Sequence, residues 1–72
     1  MPLVRIDLPA TTPASQVAAI SDTVHQAMVA TFNVPVDDRF QTITRRADDE
    51  LVCTPEFLGV RHSRLVVFVQ II

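Results

Sequence analysis

The residue with the sharpest chemical potential in this sequence is Pro2, directly after the first methionine. A small second residue favours removal of the initiator methionine, which would leave the ring nitrogen as a free secondary amine. The pyrrolidine ring holds such an amine rigid. Ordinary α-amines titrate at about 7.7–8.0, and a secondary amine starts higher. Desolvation in an apolar pocket and nearby arginines both disfavour the protonated form. Together they pull the amine towards neutrality, the range in which one group serves as general base and then as general acid. Met-Pro is also an ordinary opening for an edge strand, so the chemistry depends on what stands near it.

Two adjacent carboxylates, Asp37 and Asp38, come next. Aspartate favours turns, and both precede a short strand. From spacing alone both read as turn-formers, and Asp37 stays structural. Arg39 follows directly, and neighbours on a strand point to opposite faces. If Asp38 faces a pocket, Arg39 is expected to face away, as an anion ligand or in a surface ion pair. Arg61 and Arg64 flank the start of the last strand and are further candidates for binding a substrate anion. Arg45 and Arg46 read as a solvated strand end. His25, His62 and Cys53 stand at unrelated spacings that make no metal motif, and each reads as structural. The single glycine, Gly59, cannot build a phosphate loop. With no lysine in the chain, lysine Schiff-base chemistry is excluded.

The elements that must position these groups follow from the pattern. Residues 3–8 (LVRIDL) alternate, with Val4, Ile6 and Leu8 on one face, which predicts a half-buried strand. Thr12 before Pro13 reads as an N-cap followed by proline at the first helical position. Residues 14–32 predict a helix with Val17, Ile20, Val24, Ala27, Met28 and Phe32 on one face. Asn33 fits a left-handed C-terminal position and Pro35 blocks continuation. Asp22 is the one formal charge on this helix, so part of its outer face is expected to meet another subunit. Residues 40–46 (FQTITRR) predict a second strand, and 47–64 a long polar loop. The closing run 65–72 (LVVFVQII) reads as a central strand covered on both faces. The order gives an α/β (α+β) fold, a βαβ unit in a largely parallel sheet with a right-handed crossover. One helix cannot cover both faces of that sheet, so a second helix or a partner chain is expected there.

Seventy-two residues make a single domain, and 49% hydrophobic residues exceed what so small a body hides alone. The excess points to self-association or to a longer polypeptide, with residues 1–72 one domain incomplete at its C-terminus. A net charge of −2 leaves no basic footprint for nucleic acid. No apolar run reaches the length of a membrane span, and the start lacks a signal peptide's pattern. A soluble cytoplasmic protein is the expectation.

The segments PLVRIDL, HQAMVATFNVP and, above all, VPVDDRFQTI at 34–43, together with Met-Pro, resemble the tautomerase superfamily. Within it the chain is most similar to the malonate semialdehyde decarboxylase group. The resemblance implies a first strand carrying a catalytic amino-terminal proline, matched by Pro2, and a functional aspartate, matched by Asp38. It implies a subunit of two βαβ halves, of which this chain holds the first half plus one strand, assembled as a trimer, or as a hexamer where subunits are short. The group's carboxylate-binding arginines would fall beyond Ile72. The arginine that short family members carry near the first helix is replaced by Thr12. The implied activity is cofactor-independent keto–enol tautomerisation of a small 2-oxo or 3-oxo acid. The alternatives are decarboxylation or hydration of a 3-oxo acid such as malonate semialdehyde, or a non-catalytic oligomerisation domain of the same fold.

Overall fold

The computed structural model describes residues 2–53, 56–57, 60–61 and 66–72. Strand β1 (Val4–Pro9) leads into helix α1 (Ala14–Phe32), which returns the chain to strand β2 (Gln41–Arg46). A 3₁₀ turn (Asp48–Glu50) and a minimal hairpin of β3 (Glu56–Phe57) and β4 (Val60–Arg61) follow, then β5 (Phe68–Ile71). The stretch read as an irregular loop thus contains a hairpin of its own.

The main sheet has the order β2-β1-β5. β1 and β2 run parallel in the register Val4↔Gln41, Ile6↔Ile43, Leu8↔Arg45, completing the expected βαβ unit. β5 runs antiparallel to β1, with Val4↔Ile71 and Ile6↔Val69, so the sheet is mixed rather than largely parallel. β1, not the closing run, is the central strand. β5 is an edge whose residues are all exposed, with Val69 at 46% and Ile71 at 47%. The reason is geometric. Val69 and Ile71 share a face with Ile6 and Val4, but α1 lies over β1 and does not reach across to cover its neighbour.

The core follows the alternation in β1. Val4, Ile6 and Leu8 are buried, joined by Met28 of α1 and by Val34, with Val17, Ile20, Val24 and Val67 packed around them. The opposite face of the sheet presents Arg5, Asp7, Thr42, Thr44 and Gln70. Arg46 pairs there with Asp7 at 3.0 Å and approaches Glu50 at 3.9 Å. Arg45 donates to the Ala10 and Thr12 carbonyls at 3.2 and 2.6 Å, stitching the β1–α1 connection to β2. Both arginines are solvated, as expected for a strand end, with the Arg46 side chain 42% exposed, yet each is held by hydrogen bonds.

Helix α1 has the predicted bounds, but its start differs in detail. Pro13 occupies the N-cap and Thr12 makes no cap. The buried Thr12 turns its hydroxyl back to the Pro9 carbonyl at 2.7 Å, which closes the turn out of β1. At the other end Asn33 is left-handed, with φ 57° and ψ 32°, as the sequence suggests. That conformation costs most L-residues about 1–2 kcal/mol, which asparagine and glycine largely escape. Asn33→Ala is therefore expected to lower stability by about 1 kcal/mol in urea melts, and Asn33→Gly to leave it near wild type.

Candidate active site

Because β1 and β2 are parallel, both start at the same end of the sheet. Pro2 stands two residues before Val4, and Asp38 three residues before the Val4 partner Gln41. The crossover helix therefore brings together groups 36 positions apart in sequence. Pro2 and Asp38 line one small cleft. His25 and Gln41 add polar groups to it, and Val4, Met28, Val34 and Phe40 form its apolar wall. Its volume is about 10 Å³, close to the room one water needs.

Each wall has a local cause. Pro2 is half-buried just ahead of the ladder, whose first bonds run from Leu3 N–H to the Ile72 carbonyl and from Val4 N–H to the Phe40 carbonyl. Asp38 closes a turn, donating its N–H to the Pro35 carbonyl at 3.0 Å. Gln41 is clamped at both ends by the helix. Its carbonyl oxygen accepts from the Ser21 hydroxyl, and its amide donates to the Ser21 carbonyl at 3.1 Å. His25 is buried in mid-helix, with Nε2 donating to the Val36 carbonyl at 2.8 Å.

Arg39 does not join the cleft. Its Nη1 pairs with Asp22 at 2.6 Å, and it lines a separate groove of about 290 Å³ with His25, Gln26, Val29, Ala30 and Val36. Asp38 and Arg39 diverge as adjacent residues near a strand start should. The backbone of Arg61 lies in β4, but its side chain, like all of His62 and Arg64, lies outside the described residues. No arginine lines the cleft among the described residues. Among those residues no three His, Cys, Asp or Glu side chains are placed to share a metal ion, and no helix is long and apolar enough to cross a membrane. The sequence reading missed His25 and Gln41 as cleft residues. The available signal for His25 was its place three residues before Met28, on the same helix face. Gln41 carried none, because its placement depends on the tertiary contact with Ser21.

A parallel β1–α1–β2 unit with a second-position proline and an aspartate in one cleft defines a class, and the comparisons agree. The family model described as "Tautomerase enzyme" matches residues 2–61, and the chain belongs to that family. Among individual relatives, it is 32% identical over 70 residues to the probable tautomerase YusQ of Bacillus subtilis, covering 97% of this chain and 55% of that protein. It is 27% identical over 71 residues to the probable tautomerase YrdN of the same organism, covering 99% and 55%. Its fold superimposes on FG41 malonate semialdehyde decarboxylase, solved with the inhibitor 3-bromopropiolate, with a TM-score of 0.83 and 36% identity, covering 93% of this chain and 51% of that one. A second malonate semialdehyde decarboxylase, described as having decarboxylase and hydratase activities, gives 0.82 and 34% over 93% and 52%. The chain thus spans about half the length of the relatives it matches.

Proposed function

We propose that this chain supplies the proline-bearing half of a cofactor-independent enzyme acting on a small 2-oxo or 3-oxo acid. The observation that carries this reading is the convergence of Pro2 and Asp38 on one cleft. With Met1 removed, the neutral Pro2 amine takes a proton from the carbon beside the substrate carbonyl. The resulting ammonium gives a proton to the carbonyl oxygen, which makes the enol, and the same two transfers in reverse ketonise an enol, completing a keto–enol tautomerisation. Asp38 holds the proline cation between the two transfers. The carbonyl itself is the electron sink, so the steps call for no cofactor.

Decarboxylation is the second reading, favoured by the similarity to two malonate semialdehyde decarboxylases. There the Pro2 cation polarises the substrate carbonyl oxygen while carbon dioxide leaves, and Asp38 orients a water. Both reactions need a cation against the substrate carboxylate. Arg39 is engaged with Asp22, so we assign that role to Arg61 or to an arginine of a second half or second subunit. The exposed apolar residues of β5, Phe68, Val69 and Ile71, support self-association, and the family resemblance implies a trimer or hexamer.

The test compares ketonisation of phenylpyruvate enol and 2-hydroxymuconate with carbon dioxide release from malonate semialdehyde. Asp38→Asn is expected to lower kcat about 100-fold on the preferred substrate, within the range for a group assisting proton transfer. Unchanged turnover in the folded Asn variant would remove Asp38 from the mechanism. Carbon dioxide release well above ketonisation would move the reading to the decarboxylase.

A further inference from the structure

Asp38 stands on a segment with little of its own to hold it. Residues 35–40 are all exposed. Val36, at the middle of the turn, is 71% exposed, so no buried side chain anchors the backbone there. Contacts of three side chains, Arg39, Gln41 and His25, tie the segment and the strand start beyond it to α1, and Arg39 donates there both to Asp22 at 2.6 Å and to the Ser21 hydroxyl at 3.4 Å. The Arg39–Asp22 pair has both partners substantially exposed, and pairs of that kind contribute little. The Ser21–Gln41 clamp fixes the first residue of β2, three positions past Asp38. The third contact, from His25 to the Val36 carbonyl, is two positions before Asp38, and its donor is only 5% exposed.

A carbonyl only accepts, so Nε2 of His25 carries the hydrogen. The bond therefore exists with the ring neutral, and it persists if the other nitrogen gains a proton. Placing an imidazole beside Met28 in the core also carries a desolvation cost that an apolar side chain would avoid. What the imidazole adds at that point is a buried donor, within reach of the one backbone carbonyl that fixes the Asp38 turn to the helix.

We infer that His25 is a positioning residue, which through the Val36 carbonyl holds the turn carrying Asp38 against the Pro2 cleft. The inference rests on the reading of Pro2 and Asp38 as the reacting pair. It assigns His25 no proton transfer of its own.

The test uses two variants of similar shape, His25→Gln, which keeps a donor at that reach, and His25→Met, which has none. Two readouts are taken on the full chain: steady-state kinetics, and amide hydrogen exchange of residues 35–40. His25→Met is expected to lower kcat about 10- to 100-fold with KM little changed, the scale of a misplacement near 1 Å. Exchange in residues 35–40 should accelerate in the same protein, and His25→Gln should restore most of both. Wild-type kcat and exchange in the Met variant would overturn the inference, as would a folded Gln variant that restores neither. Should His25→Met not fold, protection of residues 35–40 and kcat in His25→Gln decide: near-wild-type values support the inference, and loss of both overturns it. Asp38→Asn run in parallel separates the two levels. Full activity there would sink the site reading, while the exchange data would still test the hold on the turn.

Discussion

Replacing Pro2 with alanine is expected to lower kcat/KM for ketonisation by about 10²- to 10⁴-fold, the usual contribution of a positioned acid–base group, with the fold intact. The loss is expected to be incomplete, because the processed variant still begins with an amine. That amine is primary and free to rotate, so it keeps basicity but loses the fixed direction the ring provides. The fold should be indifferent, since the hydrogen bonds of β1 begin at Leu3 and Val4 and none uses the Pro2 nitrogen. Alanine is also a small second residue, so methionine removal should be preserved and the two proteins compared at the same chain end. Intact mass settles that point before any kinetics. A wild-type preparation that retains Met1 has an amide at Pro2, and activity in it would exclude amine catalysis outright. A processed alanine variant as active as wild type would instead show that the rigid ring is not needed, and would point to a plain terminal amine or a different catalytic group in the cleft.

The parts of the molecule readable from sequence are those governed by local rules. The alternation in LVRIDL gave the buried face of β1, because a two-residue period allows one solution once a face is apolar. Helix α1 was readable to its ends because Pro13 and Pro35 bound it and Asn33 tolerates the left-handed turn. What local rules do not govern came out differently. The run LVVFVQII looks like a central strand by composition, yet its neighbours are set by topology: among the described residues β5 pairs only with β1 and is exposed. Thr12 has the right chemistry for an N-cap but spends its hydroxyl on Pro9. The site divides the same way. The resemblance pointed to Pro2 and Asp38, and the parallel register explains why they meet. His25 was readable as structural and is indeed hydrogen-bonded and buried, but its reach to Val36 depends on where the turn after α1 lands.

Leu8→Ala is expected to remove a large part of the chain's folding stability, about 2–5 kcal/mol. Leu8 is fully buried, at 0% exposure, in the central strand and beneath the helix. Truncating such a leucine costs about 2–5 kcal/mol, the lost transfer energy plus the cavity left behind. A 72-residue domain has about 4–11 kcal/mol in total by the usual per-residue range. The core has few members to share the loss: among the described residues only Val4, Ile6, Met28 and Val34 are comparably buried hydrophobic side chains. The matched comparison is Ile43→Ala on β2, which lies on the same face of the sheet but is 40% exposed. There the cavity term largely disappears, because water fills the space, and the cost should fall to about 1 kcal/mol. Urea titrations of the two variants at equal concentration would show the difference as a shift in midpoint with little change in slope. Equal shifts would mean that the face of β2 carrying Ile43 is buried in the protein as it exists in solution. That result would place the missing cover of the sheet over β2 rather than over β5.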